Sequence, residues 1–229
     1  MRATQAPRAI LFDLDGTLAD TAPDLAAAIN LLRANAGLAP TPYALLRPTA
    51  SSGARGMIRA SYGLTPEDDD YEALRIEFLN NYEASLAKHT SLFPGIADML
   101  GSITQLGLGW GIVTNKAMRF TDPLVPQIGL KHAGCVVSGD TTAHAKPHPA
   151  PLFEAARQLG LAPEQCWYVG DDLRDIEAGR AAGMITIACG WGYCGPTAPL
   201  TWNANYLLDS PQQLLDVVRA LVQESAPTT

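Results

Sequence analysis

Apolar residues along this 229-residue chain fall into two kinds of run. The first kind is short and uninterrupted: Ala9-Ile10-Leu11-Phe12, Trp110-Gly111-Ile112-Val113, Cys135-Val136-Val137, Cys166-Trp167-Tyr168-Val169, Ile185 to Ala188 and Tyr206 to Leu208. Such runs, with no polar alternation, read as strands buried on both faces, the kind that parallel sheets use. The second kind recurs at helical spacing, around Ile96 to Leu106, Asp122 to Gly129, Pro149 to Gly160 and Asp172 to Ala182. A last helix follows Ser210-Pro211, with Leu214, Leu215, Val218, Leu221 and Val222 on one face. Parallel strands need crossover connections, so this alternation predicts an α/β fold with helices on both sides of a parallel sheet.

Residues 19–88 read differently. Leu25, Ile29, Leu32 and Leu38 recur at helical spacing, with Asp20 or Thr21 as N-cap, Pro23 in the first turn and Gly37 as C-cap. A turn-rich segment, Pro40 to Pro48, leads to Ser51-Ser52-Gly53-Ala54-Arg55-Gly56, a loop opening a short helix through Tyr62. Thr65-Pro66-Glu67-Asp68 reads as the start of a further helix whose face carries Tyr71, Leu74, Phe78, Tyr82 and Leu86. Only helices are expected here, and they have no place in the sheet, so they should cap it.

The polar residues begin where the strands end. The run Ala9 to Phe12 passes straight into Asp13-Leu14-Asp15-Gly16-Thr17-Leu18, and the carboxyl ends of strands are where open α/β sheets bind ligands. Asp13 and Asp15, two residues apart, point the same way until the chain turns at Gly16. Two carboxylates held so close are stable only if a cation neutralises them or one takes a proton. Further strand ends and loops supply Thr114-Asn115, Lys146, and Gly170-Asp171-Asp172 with Asp175. An anion together with a divalent cation is the simplest ligand set for these groups. Ser51 to Arg55 place hydroxyls, backbone N–H groups and a guanidinium at a helix start, a second setting for an anion.

Composition narrows the field. A net charge of −7 without a Lys/Arg cluster argues against nucleic acid. Met1 to Arg8 lacks the apolar core of a signal peptide, and no segment reaches membrane-spanning length, so a cytoplasmic protein is expected. Cys135, Cys166, Cys189 and Cys194 form no CxxC pair and read as reduced thiols. His144 and His148 flank Lys146, but Pro147 breaks any helical pairing between them, which argues against zinc. The acids Asp68 to Asp70 read as a solvated helix start, and Glu224 to Thr229 as a frayed end. Trp191 and Tyr193, in a glycine-rich loop, could equally line the pocket mouth or pack under the loop.

Asp13-x-Asp15-Gly16-Thr17, then Thr114-Asn115 after a strand, then Lys146-Pro147, then Gly170-Asp171-Asp172 with Asp175, resemble in this order the four motifs of the haloacid dehalogenase superfamily of phosphotransferases. The resemblance implies a Rossmann-like core of residues 1–18 and 89–229 and an inserted helical cap of residues 19–88. It implies Asp13 as nucleophile, forming an aspartyl-phosphate, and Asp15 as the general acid and base. Mg²⁺ would be held by Asp13, the backbone carbonyl of Asp15 and Asp171, with Asp172 or Asp175 left open as a further ligand. Thr114 and Asn115 would donate to phosphoryl oxygens, and Lys146 would balance the charge of the phosphate and of Asp13. Asp15 separates phosphoryl-transfer members from the dehalogenases, which lack the second acid.

More narrowly, Leu11 to Leu18 with Thr21-Ala22-Pro23-Asp24-Leu25 is similar to the opening of the phosphoglycolate phosphatase-like group. Ser52 to Met57, Trp110 to Lys116, Gly170 to Glu177 and Gly192-Tyr193 resemble those of its enzymes that act on N-acetylmuramic acid 6-phosphate in cell-wall sugar recycling. The expected partner is therefore a small phosphomonoester, for a monomer or homodimer. Both candidate substrates carry a carboxylate, so Ser52, Gly53 and Arg55, the cap residues expected to bind it, do not discriminate. A sugar phosphomutase using the same two aspartates and a non-catalytic phosphate-binding module are the alternatives.

Overall fold

In the computed structural model, which describes residue 3 and residues 5–224, the first apolar run is β1 (Ala9–Phe12), and all four of its residues are buried. The chain then turns into a two-residue strand, β2 (Ala19–Asp20), and the helical insertion α1 (Ala22–Asn35), α2 (Tyr43–Leu46), α3 (Gly53–Tyr62) and α4 (Tyr71–Ala84). It returns through β3 (Ser91–Leu92), α5 (Ile96–Gln105), β4 (Gly109–Val113), α6 (Met118–Gln127), β5 (Val136–Val137) and α7 (Ala150–Gln158). β6 (Cys166–Gly170), α8 (Leu173–Ala181), β7 (Ile185–Cys189), β8 (Tyr206–Leu208) and α9 (Pro211–Glu224) complete it. No helix among the described residues is long and apolar enough to cross a membrane. Of the tail expected to fray, Glu224 closes α9 and residues 225–229 lie outside the described residues.

Six strands form one sheet in the order β5-β4-β1-β6-β7-β8, each pair of neighbours parallel. β1 is central, as its apolar run predicts, and strand alternation divides its residues between the two faces. Ile10 and Phe12 join the larger core, which reaches into the insertion and includes Leu25, Ile29, Phe78 and Tyr82. Ala9 and Leu11 join a second core with Leu152, Ala155 and Ala178, from α7 and α8. Both faces being covered is why the strand pattern shows no polar alternation.

Several elements differ from the sequence expectation. The segment from residue 19 is not purely helical: β2 and β3 pair antiparallel, Ala19 with Leu92 and Asp20 with Ser91, where the chain leaves and re-enters the core. Two-residue strands carry no periodic signal. α1 ends at Asn35, and Gly37 takes a left-handed conformation, so Leu38 lies past the helix and is exposed. The segment 40–48 contains α2. Thr65 caps only a turn, its backbone N–H and hydroxyl both donating to Asp68, and α4 starts at Tyr71. α6 begins at Met118 rather than Asp122, because the Asp140 carboxylate, from a loop 22 residues on, accepts the Met118 N–H at 2.8 Å. The four cysteines are free thiols.

Candidate active site

Asp13 continues the line of β1, its backbone N–H donating to Val169 of β6 at 2.9 Å. Its Oδ1 accepts from Lys146 Nζ at 2.8 Å. That ammonium also lies 2.7 Å from Asp175 Oδ1, 2.7 Å from Tyr168 Oη and 3.0 Å from the Val113 carbonyl. The Asn115 side chain sets its position, donating to the Lys146 carbonyl and accepting from the Lys146 N–H. Asn115, expected to donate to a phosphoryl group, thus spends both ends of its amide on a neighbouring loop. Thr114 is buried and its Oγ accepts from the Lys116 N–H at 3.1 Å, which leaves the hydroxyl proton for a ligand.

Asp15 is held by groups that sequence reasoning missed. Lys116 Nζ lies 2.9 Å from Asp15 Oδ1 and 4.8 Å from the centre of the Tyr82 ring, and the Thr21 hydroxyl donates to the same carboxylate oxygen. Asp171 is buried and accepts from Thr17 Oγ at 3.1 Å, from the Tyr193 N–H at 2.9 Å, and from Ser51 Oγ of the insertion at 3.0 Å. Gly16 makes room for it: its backbone φ of +88° suits glycine, and a Cβ there would collide with the Asp171 carboxylate.

Asp172 and Asp175 form a reciprocal cap at the start of α8. Asp172 accepts the Arg174 N–H, and Asp175 Oδ2 accepts the Asp172 N–H at 3.1 Å. Both oxygens of Asp175 are thereby engaged, one by Lys146 and Tyr168 and the other by the helix start.

Among the described residues, Asp13, Asp171 and Asp175 form the one group of three potential metal donors, their oxygens within 4.8 Å of one another. Burial pushes the Asp13 carboxyl up to about 7, reinforced by the charges of Asp175 and Asp15 and opposed by Lys146. Burial, then the charges of Asp13 and Asp175, also raises Asp171. The trio and Asp15 outnumber the cations Lys146 and Lys116, and hard carboxylate oxygens in this number fit a divalent cation. Asp13 has the freer oxygen for it, since among the described residues only its Oδ1 accepts a hydrogen bond, from Lys146, whereas both oxygens of Asp171 and of Asp175 already accept.

Above these acids lies a cavity of about 260 Å³. Its core side carries Asp13, Asp15, Thr114, Asn115 and Lys146; Leu25, Phe78, Leu79, Tyr82 and Phe120 make an apolar wall. Residues 10–189 match the family model of haloacid dehalogenase-like hydrolases. The chain belongs to that family.

Two relatives of this hydrolase cover nearly all of it. It is 43% identical over 213 residues to the N-acetylmuramic acid 6-phosphate phosphatase of Pseudomonas putida, spanning 92% of this chain and 96% of that one. It is 47% identical over 210 residues to a phosphoglycolate phosphatase of Xanthomonas campestris, spanning 91% and 95%. The crystal structure of a predicted phosphoglycolate phosphatase from Haemophilus somnus superimposes with a TM-score of 0.82 at 25% identity, covering 94% of this chain and 98% of that one. The hydrolase is accordingly an enzyme of a phosphatase group.

The insertion of this hydrolase only partly matches expectation. Ser52 and Gly53 line the cavity, joined by Ser51 and Ala54. Arg55 does not: it is exposed on α3, outside the cavity wall, because a helix start turns successive side chains outward as well as inward. The guanidiniums that do line the cavity are Arg75 of α4 and Arg174 of α8. Arg174 is bound to Asp172 at 2.8 and 3.0 Å and to the Ser51 carbonyl at 2.9 Å, tying the core to the insertion. Trp191 and Tyr193 pack rather than line: Trp191 Nε1 donates to the Thr17 carbonyl, and Tyr193 Oη donates to Asp20 while accepting the Ala22 N–H.

Proposed function

We propose that the protein is a Mg²⁺-dependent phosphatase that works through an aspartyl-phosphate, with N-acetylmuramic acid 6-phosphate as its substrate. The observation that carries the reaction type is the placement of Asp13, at the end of the central strand and between Lys146 and Asp171, in the floor of a cavity. An Asp13 oxygen attacks phosphorus, the bond from phosphorus to the ester oxygen breaks, and Asp15 gives the leaving alkoxide its proton. Asp15 then takes a proton from the water that attacks the same phosphorus, releasing phosphate and restoring the Asp13 carboxylate. Thr114 donates its hydroxyl proton to a phosphoryl oxygen, and Lys146 offsets charge gathering between the phosphoryl group and Asp13. Asp13, Asp171 and the Asp15 carbonyl would hold Mg²⁺, which neutralises phosphoryl charge when bound.

The cavity supports a sugar rather than glycolate as the leaving group. A two-carbon ester would leave most of the apolar wall of Leu25, Phe78, Leu79 and Phe120 without a partner, whereas the C–H face of a sugar ring would cover it. The name of the Xanthomonas campestris relative favours a second reading, 2-phosphoglycolate. The test is Mg²⁺-dependent phosphate release, compared as kcat/KM for the two esters. The sugar phosphate is expected to be preferred by at least about tenfold, and Asp13→Asn to lower turnover at least about 10³-fold. Turnover that survived Asp13→Asn would remove the mechanism, and a preference for glycolate would remove only the substrate.

A further inference from the structure

The cavity adjoins a second recess of about 300 Å³ between α4 and α6, and the two share Arg75, Leu79, Ala117 and Phe120. Beyond these, the recess is bordered by Ile76, Asn80, Arg119 and Asp140. It therefore combines an apolar floor with two guanidiniums, and stands apart from the acids below Asp13.

Neither guanidinium is committed to the fold. Among the described residues Arg75 is bound to Glu72 alone, at 2.8 and 2.7 Å, one turn back on the surface of α4. An exposed pair of this kind is screened by water and is readily exchanged. Arg119 lies 4.4 Å over the Phe120 ring and forms no ion pair among the described residues. By contrast, Asp140 is already an acceptor at the start of α6. A substrate with a second anion must keep it away from the acids of the floor, and these two cations are where it can go.

Spacing selects among anions. Arg75 lies seven residues before Tyr82, whose ring meets the lysine that holds Asp15. Seven residues of helix advance roughly 10 Å. The carboxylate of 2-phosphoglycolate is two bonds from its ester oxygen and stays over the floor. A carboxylate on the far side of a hexose 6-phosphate spans such a distance.

We propose that this recess is the leaving-group subsite, and that Arg75, flanked by Arg119, exchanges Glu72 for the carboxylate of a sugar-phosphate acid. The proposal rests on the phosphatase reading above and goes beyond it in naming the residues that select the substrate. The experiment compares N-acetylmuramic acid 6-phosphate with N-acetylglucosamine 6-phosphate, the same sugar without the lactyl ether that carries the carboxylate, in wild type, Arg75→Met, Arg119→Met and Glu72→Gln. The ratio of kcat/KM, acid over neutral sugar, is expected to fall about tenfold in Arg75→Met, through KM, and less in Arg119→Met. In Glu72→Gln, which releases Arg75, the ratio should hold or rise.

The same ratio is read as Kd by titrating both sugars into Asp13→Asn, with and without Arg75→Met, so that binding is measured without turnover. Equal losses for both sugars, or an unchanged ratio, would overturn the subsite while leaving the phosphatase intact. Wild-type protein that binds the acid selectively through Arg75 yet releases no phosphate would keep the subsite and sink the reaction.

Discussion

Among the described residues, Lys146, on the core side of the cavity, has four hydrogen-bond partners and a side chain 3% exposed; Arg75, on the cap side, has Glu72 alone and is 39% exposed. The difference separates two kinds of function. A buried network cannot lose a member without leaving charge uncompensated in a low dielectric. An exposed pair can be dissolved and remade on a ligand at little cost. The proposed phosphoryl transfer uses the first setting, and choice of leaving group can sit in the second without endangering the fold.

The largest expected effect breaks the core side of this comparison. Lys146→Met leaves Asp13 and Asp175 facing each other without their shared cation. It should cost about 3–5 kcal/mol in urea unfolding and about 10²–10³-fold in kcat/KM. Arg75→Met, measured in the same way, should lie within about 0.5 kcal/mol of wild type in stability. Equal stability losses would mean that the two sides are built alike.

A second effect follows from the acids themselves. In metal-free protein, burial and the neighbouring charges of Asp175 and Asp15 lift Asp13 from its ordinary 3.8 to about 7, against Lys146. The folded state then binds this proton more tightly than the unfolded chain. Its contribution to stability is full below about pH 4 and is lost as pH rises to about 7. At about 1.4 kcal/mol per pH unit the loss from this one group reaches about 4 kcal/mol. Unfolding of metal-free wild type, referred to Asp13→Asn across pH 4–8, should show that decline. Mg²⁺ should restore most stability at pH 8, where no proton competes for the carboxylate. A flat difference would show that Asp13 titrates as an ordinary aspartate.

The core side was legible in sequence because its signals are local. A strand buried on both faces announces itself as an unbroken apolar run; Asp13 and Thr114 follow such runs by one residue and Asp171 by two. Asp175 was placed only as an open metal candidate, although its spacing from Asp172 is that of a reciprocal helix cap, a signal that sequence does carry. Lys116 enters the sequence reading only as the end of the stretch Trp110 to Lys116, since nothing local says that its ammonium reaches Asp15. The cap side was less legible. On a helix exposed along much of its length, an arginine is distinguished only by what faces it, and the residues across the recess from Arg75, at the start of α6 and Asp140, lie far along the chain.

The smallest expected effect sharpens the comparison from the cap side. Arg55 met every local criterion for an anion site: a helix start, serines before it and a guanidinium in the first turn. It is exposed, and the cavity wall passes through Ser51 to Ala54 instead. Arg55→Ala should therefore change kcat/KM for N-acetylmuramic acid 6-phosphate by less than about twofold and stability by less than about 0.5 kcal/mol. Arg75→Met, some 20 residues further on, should carry the selectivity. If the two variants exchanged these outcomes, the anion would be read at the start of α3 rather than from α4, and the recess between α4 and α6 would lose its role.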